Sequence, residues 1–211
     1  DRFDVIMTNP PFGKKSSTII FSESGKAERE TLSYERDDFW ATTSNKQLNF
    51  LQHVKTILKI NGRCSIVVPD NVLFEGGAGE TVRKKMLEQM NCHTLLRLPT
   101  GIFYAGGVKA NVLFFDRKPA RTDGKAWTEK LWIYDFRTNQ HFTLKESTLS
   151  REHLDDFVKC YNAKNILKRK ETDQFHAYSY DEIIKRDKAS WDIFWLKDDS
   201  LEDIENLPAP E

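Results

Sequence analysis

In FDVIMTNPPFG, Phe3 to Gly13, a nearly unbroken apolar run stops at an asparagine followed by two prolines. Adjacent prolines fix φ and supply no N–H, so neither a helix nor a strand ladder continues through them. Pro10 also pushes Asn9 towards an extended conformation. Whatever Phe3–Thr8 forms must end there, and end stiffly. A short run that is apolar almost throughout reads as a strand covered on both faces, as in parallel sheets.

The segments that follow alternate in type. Lys14 to Asp38 is polar and shows no sustained period, which reads as a long loop or insertion. SNKQLNFLQHVKTILKINGR places Leu48, Leu51, Val54 and Leu58 on one helical face, with Ser44 or Asn45 as its cap and Asn61-Gly62 as its end. CSIVVP reads as a second buried strand. GETVRKKMLEQM is an amphipathic helix with Val82, Met86 and Met90 on its stripe, and TLLRLP, ANVLFFD and KLWIYDF are further strands. Strand, helix, strand, helix, strand is the pattern of right-handed crossovers around a parallel sheet. Such a sheet binds ligands at the C-terminal ends of its strands, where TNPPFG lies. The predicted fold class is therefore α/β for residues 1–118. Residues 119–211 add a strand and a helical extension, with Ser150 capping one helix and Ser179 with Glu182 at capping-box spacing before another.

Composition removes several functions. In 211 residues, 32 Lys and Arg balance 32 Asp and Glu, so no large positive field is available for holding nucleic acid non-specifically. The three cysteines, Cys64, Cys92 and Cys160, are odd in number and far apart, as for reduced thiols in a cytoplasmic protein. Histidines and cysteines lack ligand spacing, and no apolar run is long enough to span a membrane, so neither a metal nor a membrane is expected.

At the end of the first strand the carbonyls of Asn9 and Pro10 are free of any ladder. Two acceptors converging there suit an amino group held by both N–H bonds, and Phe12 offers a flat surface for a planar base. The competing reading makes Asn-Pro a turn initiator and Phe12 a core plug.

TNPPFG resembles motif IV, (D/N/S)PP(Y/F), of the amino-methyltransferases that use S-adenosylmethionine. GRCSIVVPDNVLFEGG, LRLPTGIFYAGGVKANVLFFDR and LWIYDFRTNQHFTLK resemble the modification subunit of type I restriction–modification systems, an N6-adenine DNA methyltransferase family. The likeness runs from residue 1 to about Tyr161, and more loosely through SWDIFWLKDD. It implies a Rossmann-like methyltransferase sheet with S-adenosylmethionine as cofactor. Asn9, Pro10, Pro11 and Phe12 would be the catalytic loop, with Asn9 also touching the cofactor. Phe12 would stack on a flipped adenine, and Phe103, in LPTGIFYAGG, on its other face. The competing reading makes Phe103 a strand-end aromatic in the core, and Tyr104 is its nearest competitor. Gly101, Gly106 and Gly107 are turn residues that also permit close approach. Gly76, Gly77 and Gly79 lack the lysine-serine pair of a phosphate loop and read as a turn. Lys14 and Lys15 are either a solvated pair or phosphate contacts.

The family's glycine-rich cofactor loop, its first three strands and its helical N-terminal domain are not in this sequence. The expectation is a C-terminal portion that starts on the catalytic strand and is inactive alone. The implied partners are double-stranded DNA, a specificity subunit, a restriction subunit and a second copy of the modification subunit. Alternatives are an RNA-base or protein-glutamine methyltransferase with the same NPP loop, or a non-catalytic assembly module.

Overall fold

The computed structural model describes residues 1–13, 17–21, 27–31, 33–104 and 107–197. Six strands form the main sheet: β1 (Phe3–Thr8), β4 (Leu58–Pro69), β6 (Ala110–Arg117), β5 (Met90–Arg97), β7 (Lys130–Asp135) and β8 (Phe175–Ser179), in that spatial order. β1 and β4 are parallel, as are β5 and β7, whereas β6 runs antiparallel to both its neighbours and β8 to β7. The predicted all-parallel sheet is thus mixed. A polypeptide returning from β5 by a connection without a helix arrives antiparallel, and β6 slots between β4 and β5.

Helix α1 (Lys46–Ile57) crosses from β1 to β4, and α2 (Asn71–Phe74) with α3 (Ala78–Gln89) from β4 towards β5. Asn45 caps α1, accepting from the backbone N–H groups of Gln47 and Leu48 at 2.9 and 3.3 Å. The helix ends at Ile57, so Leu58 opens β4 and the Asn61-Gly62 pair lies within that strand. Asn61 takes a φ of 64° there. Met90 likewise opens β5 instead of closing α3.

Side chains alternate across the sheet. Leu113 and Phe115 of β6 join a core with Leu48, Leu51 and Val54 of α1 and Val82 and Met86 of α3. Val112 and Phe114 face a second, aromatic-rich core with Tyr134, Phe136, Phe142, Phe175 and Phe157 of α4 (Asp155–Tyr161). The chain past residue 118 therefore supplies two strands to the sheet and much of the second core. The Ser179–Glu182 capping box forms at the start of α5 (Tyr180–Lys185).

Two expectations change. β1 is the edge strand, and Phe3, Val5 and Met7 are 50, 51 and 80% exposed. Its apolar sequence has no partner on the outer side among the described residues. The 14–38 segment contains an antiparallel pair of β2 (Ser17–Phe21) and β3 (Ala27–Thr31), for which the Ser24-Gly25 dipeptide between them was the available turn signal.

Candidate active site

The C-terminal ends of the parallel strands share one end of the sheet. β1 delivers Asn9–Gly13, β4 delivers Asp70, β5 delivers the loop from Leu98, and β7 delivers Phe136–Thr138. At the double-proline turn Pro10 is buried while Asn9 and Pro11 are exposed. Consecutive residues therefore face different surroundings. Gly13 is held by the Gln47 amide, whose Nε2 donates to its carbonyl at 3.3 Å.

Phe12 turns towards the second core and meets Phe103, with ring centroids 6.1 Å apart and planes at 50°. A base slotted between two rings needs about 7 Å, twice the best carbon–carbon separation, with planes parallel. The two rings are therefore in contact and must turn to admit one. Phe103 is half-buried, whereas Tyr104 is 97% exposed. The pairing with Phe12 thus falls to Phe103.

Gly101 sets that loop. Its φ is +84°, and a Cβ there would lie 1.8 Å from the Phe142 carbonyl oxygen. Gly107 also has positive φ, at 75°, but open space around it. Gly76 and Gly77 precede α3, and Gly79 is buried in it, where a Cβ would press on Glu75 and Arg83 at 3.2 Å. Lys14, Lys15 and Gly106 lie outside the described residues.

Sequence reasoning missed the ion pair beneath the mouth. Arg137 makes a bidentate bridge to Asp70, Nη1 to Oδ2 at 2.7 Å and Nη2 to Oδ1 at 2.8 Å. Its Nε donates to the Leu98 carbonyl at 3.0 Å and Nη2 to the Ala110 carbonyl at 3.1 Å. Asn111 donates to Asp70 at 2.8 Å. One guanidinium therefore ties together the ends of β4 and β5 and the start of β6. Burial works against the Asp70 carboxylate. Hydrogen bonding and charge from Arg137, the Asn111 amide and the Arg97 charge outweigh it, holding Asp70 below the usual carboxylate range. A charged residue within two positions past the end of each of two strands, in VVPDN and YDFRT, was the available signal.

Arg83 and Arg97 are among the buried arginines. Arg83 donates to the carbonyls of Val72, Lys188 and Ala189, and burial lowers it to about 10, still a cation at neutral pH. Arg97 holds the Asp192 carboxylate and the Ile193 carbonyl. They strap the 188–193 segment, including buried Trp191, over the first core. Cys64 and Cys92 are buried and free, and burial pushes the Cys64 thiol up to about 12. Among the described residues no helix is long and apolar enough to cross a membrane, and no group of His, Cys, Asp and Glu has metal-binding placement.

With a mixed sheet carrying an Asn-Pro-Pro-Phe turn at its mouth, the class of protein is fixed: the chain belongs to the N-6 DNA Methylase family, whose model matches residues 1–190. It is 36% identical to the type I restriction enzyme StySPI methylase subunit of Salmonella potsdam, over 99% of this chain and 42% of that protein. It is also 36% identical to the EcoKI methylase subunit of Escherichia coli K12, over 98% of this chain and 42% of that one. The crystal structure of the EcoKI M protein superposes with a TM-score of 0.73 at 34% identity, covering 93% of this chain and 44% of that chain. A chain from a structure on complex assembly in the type I R-M system superposes at 0.69 with 27% identity, covering 100% of this chain and 40% of its own. The chain thus spans less than half the length of the relatives it matches.

Proposed function

We propose that this chain supplies the target-base half of a DNA adenine-N6 methyltransferase active site, in the modification subunit of a type I restriction–modification system. The observation that carries the reading is the juxtaposition of the Asn9–Phe12 turn with Phe103 at the C-terminal mouth of the sheet. The Asn9 carboxamide oxygen and the Pro10 carbonyl accept the two N–H bonds of the adenine amine and turn its lone pair towards the electrophile. Phe12 and Phe103 open to hold the flipped base on both faces. No covalent nucleophile is required. The residues position the amine and stabilise the charge that develops on it.

S-adenosylmethionine, when bound, supplies the electrophilic methyl group. The residues present fit it at the reacting end, where exposed Asn9 would touch it. Double-stranded DNA, a specificity subunit, a restriction subunit and a second modification subunit are the proposed partners, in the cytoplasm, as the type I relatives and the assembly structure suggest. RNA-base and protein-glutamine methylation use a similar loop, but the relatives are DNA methylases.

Asn9→Ala in the full-length protein tests the assignment. Turnover with saturating DNA and cofactor should fall by about two orders of magnitude or more, with the fold intact by circular dichroism. Near-normal turnover would remove Asn9 from the reaction.

A further inference from the structure

A cavity of 400 Å³ opens beside the double-proline turn, with Pro11 but not Phe12 in its lining. We propose that it seats a nucleotide adjoining the target adenine on the same DNA strand. This rests on the adenine-methylation reading above and adds a second DNA subsite to it.

The groove is built by α1 and the loop before it. Lys46, Asn49, Phe50 and His53 line it and stand at i, i+3, i+4 and i+7, one face of the helix. The core face of the same helix carries Leu48, Leu51 and Val54. A half-buried phenylalanine on the outward stripe is not needed by either core. Phe39 and Tyr34 complete the aromatic walls. Tyr34 is 48% exposed, and its backbone is pinned by a hydrogen bond to the Thr43 carbonyl at 3.2 Å.

The rim carries two basic side chains, Arg36 and Lys46. Arg36 lies over the Phe39 ring at 4.4 Å and approaches His53 Nδ1 at 3.3 Å. Lys46 is exposed at the first turn of α1. Among the described residues no carboxylate lines the groove. Asp38 pairs bidentately with Arg36 and also accepts from the Thr56 hydroxyl, so the rim's net positive charge rests on Lys46. Aromatic walls under a positive rim are the makeup of sites that stack a base and hold its phosphodiester. A neutral peptide would have no use for the rim, and a cationic one would be repelled by it. Pro11 lines the groove and its neighbour Phe12 packs on the second core, so a strand whose adenine rests on Phe12 runs close to the groove.

The test uses the full-length methyltransferase in its native complex and a duplex oligonucleotide containing the target site. Tyr34→Ala and Phe50→Leu should each weaken DNA binding by about five-fold or more, and Phe50→Leu keeps an apolar side chain on the helix. Lys46→Ala should lower the slope of log affinity against log salt by about one. Turnover at saturating DNA should stay within about two-fold, as for loss of ground-state binding. 2-Aminopurine placed beside the target should gain emission when Tyr34 is removed. Unchanged DNA affinity and salt slope in all three variants would overturn the proposal. So would a fall in cofactor affinity, or dissociation of the complex, with DNA binding intact. Retained turnover in Asn9→Ala would instead sink the catalytic reading, independently of what the groove variants do.

Discussion

Phe12 and Phe103 stand with ring centroids 6.1 Å apart, too close for a base between them, so on the proposed reading the rings part to admit one. Phe103→Ala should lower 2-aminopurine fluorescence at the target position, along with turnover, because stacking on one aromatic is worth about 1–3 kcal/mol. Its stability cost should fall below the roughly 3–5 kcal/mol of a fully buried phenylalanine, since the ring is only half-buried. A large drop in melting temperature with flipping intact would make Phe103 a core residue. Gly101→Ala acts on the same ring indirectly. A Cβ against the Phe142 carbonyl must displace the loop, so turnover should fall although Gly101 touches no base. An active Gly101→Ala enzyme would show that the loop tolerates displacement. At this scale the sequence was informative where covalent stiffness decides geometry, as at Asn9–Phe12. It offered Phe103 and Tyr104 together, because which of two neighbours faces inward depends on the loop's contact with Phe142.

Among the elements, strands and helices were legible from their periods, and the Ser179–Glu182 cap from its spacing. The antiparallel insertion of β6 was not, because a strand's sequence pattern does not state its direction. The Asp70–Arg137 bridge was equally hidden, since 66 residues separate partners that meet only once β4, β5 and β6 are assembled. That bridge predicts a pH dependence. Asp70 is held below its ordinary value, so its contribution to stability is present above the unfolded carboxylate pKa of about 3.9. The contribution is lost as pH falls through the lower, folded value. Asp70→Asn should therefore destabilise the chain by about 3 kcal/mol at neutral pH, as for breaking a largely buried pair. The gap between variant and parent should narrow in denaturant titrations below about pH 4. A gap that stays constant from pH 7 to 3 would show that the charge on Asp70 is not what binds the loops.

For the whole molecule, the decisive feature is an edge strand whose composition belongs in a sheet interior. β1 reads as a covered strand in sequence and stands as an edge in space, with Phe3, Val5 and Met7 half or more exposed. Local pattern reports what a strand is suited to bury, and neighbours decide whether it is buried. An exposed apolar edge is a template for pairing with another copy. The 211-residue chain alone should therefore self-associate with rising concentration in sedimentation velocity. Val5→Lys and Met7→Lys should shift it towards monomer while moving stability by no more than about 0.5 kcal/mol, because both side chains already face solvent. Of the proposed site residues, only Asn9 is assigned to the cofactor. Calorimetry on the chain alone should accordingly detect no S-adenosylmethionine binding in the micromolar range, with or without the two lysines. In the full-length protein Val5→Lys should weaken cofactor binding or assembly, as expected when a charge replaces an apolar side chain on an edge suited to burial. A monomeric parent chain with micromolar cofactor affinity would refute both expectations, and would mean that β1 is a true edge whose apolar face serves some purpose other than completing the sheet.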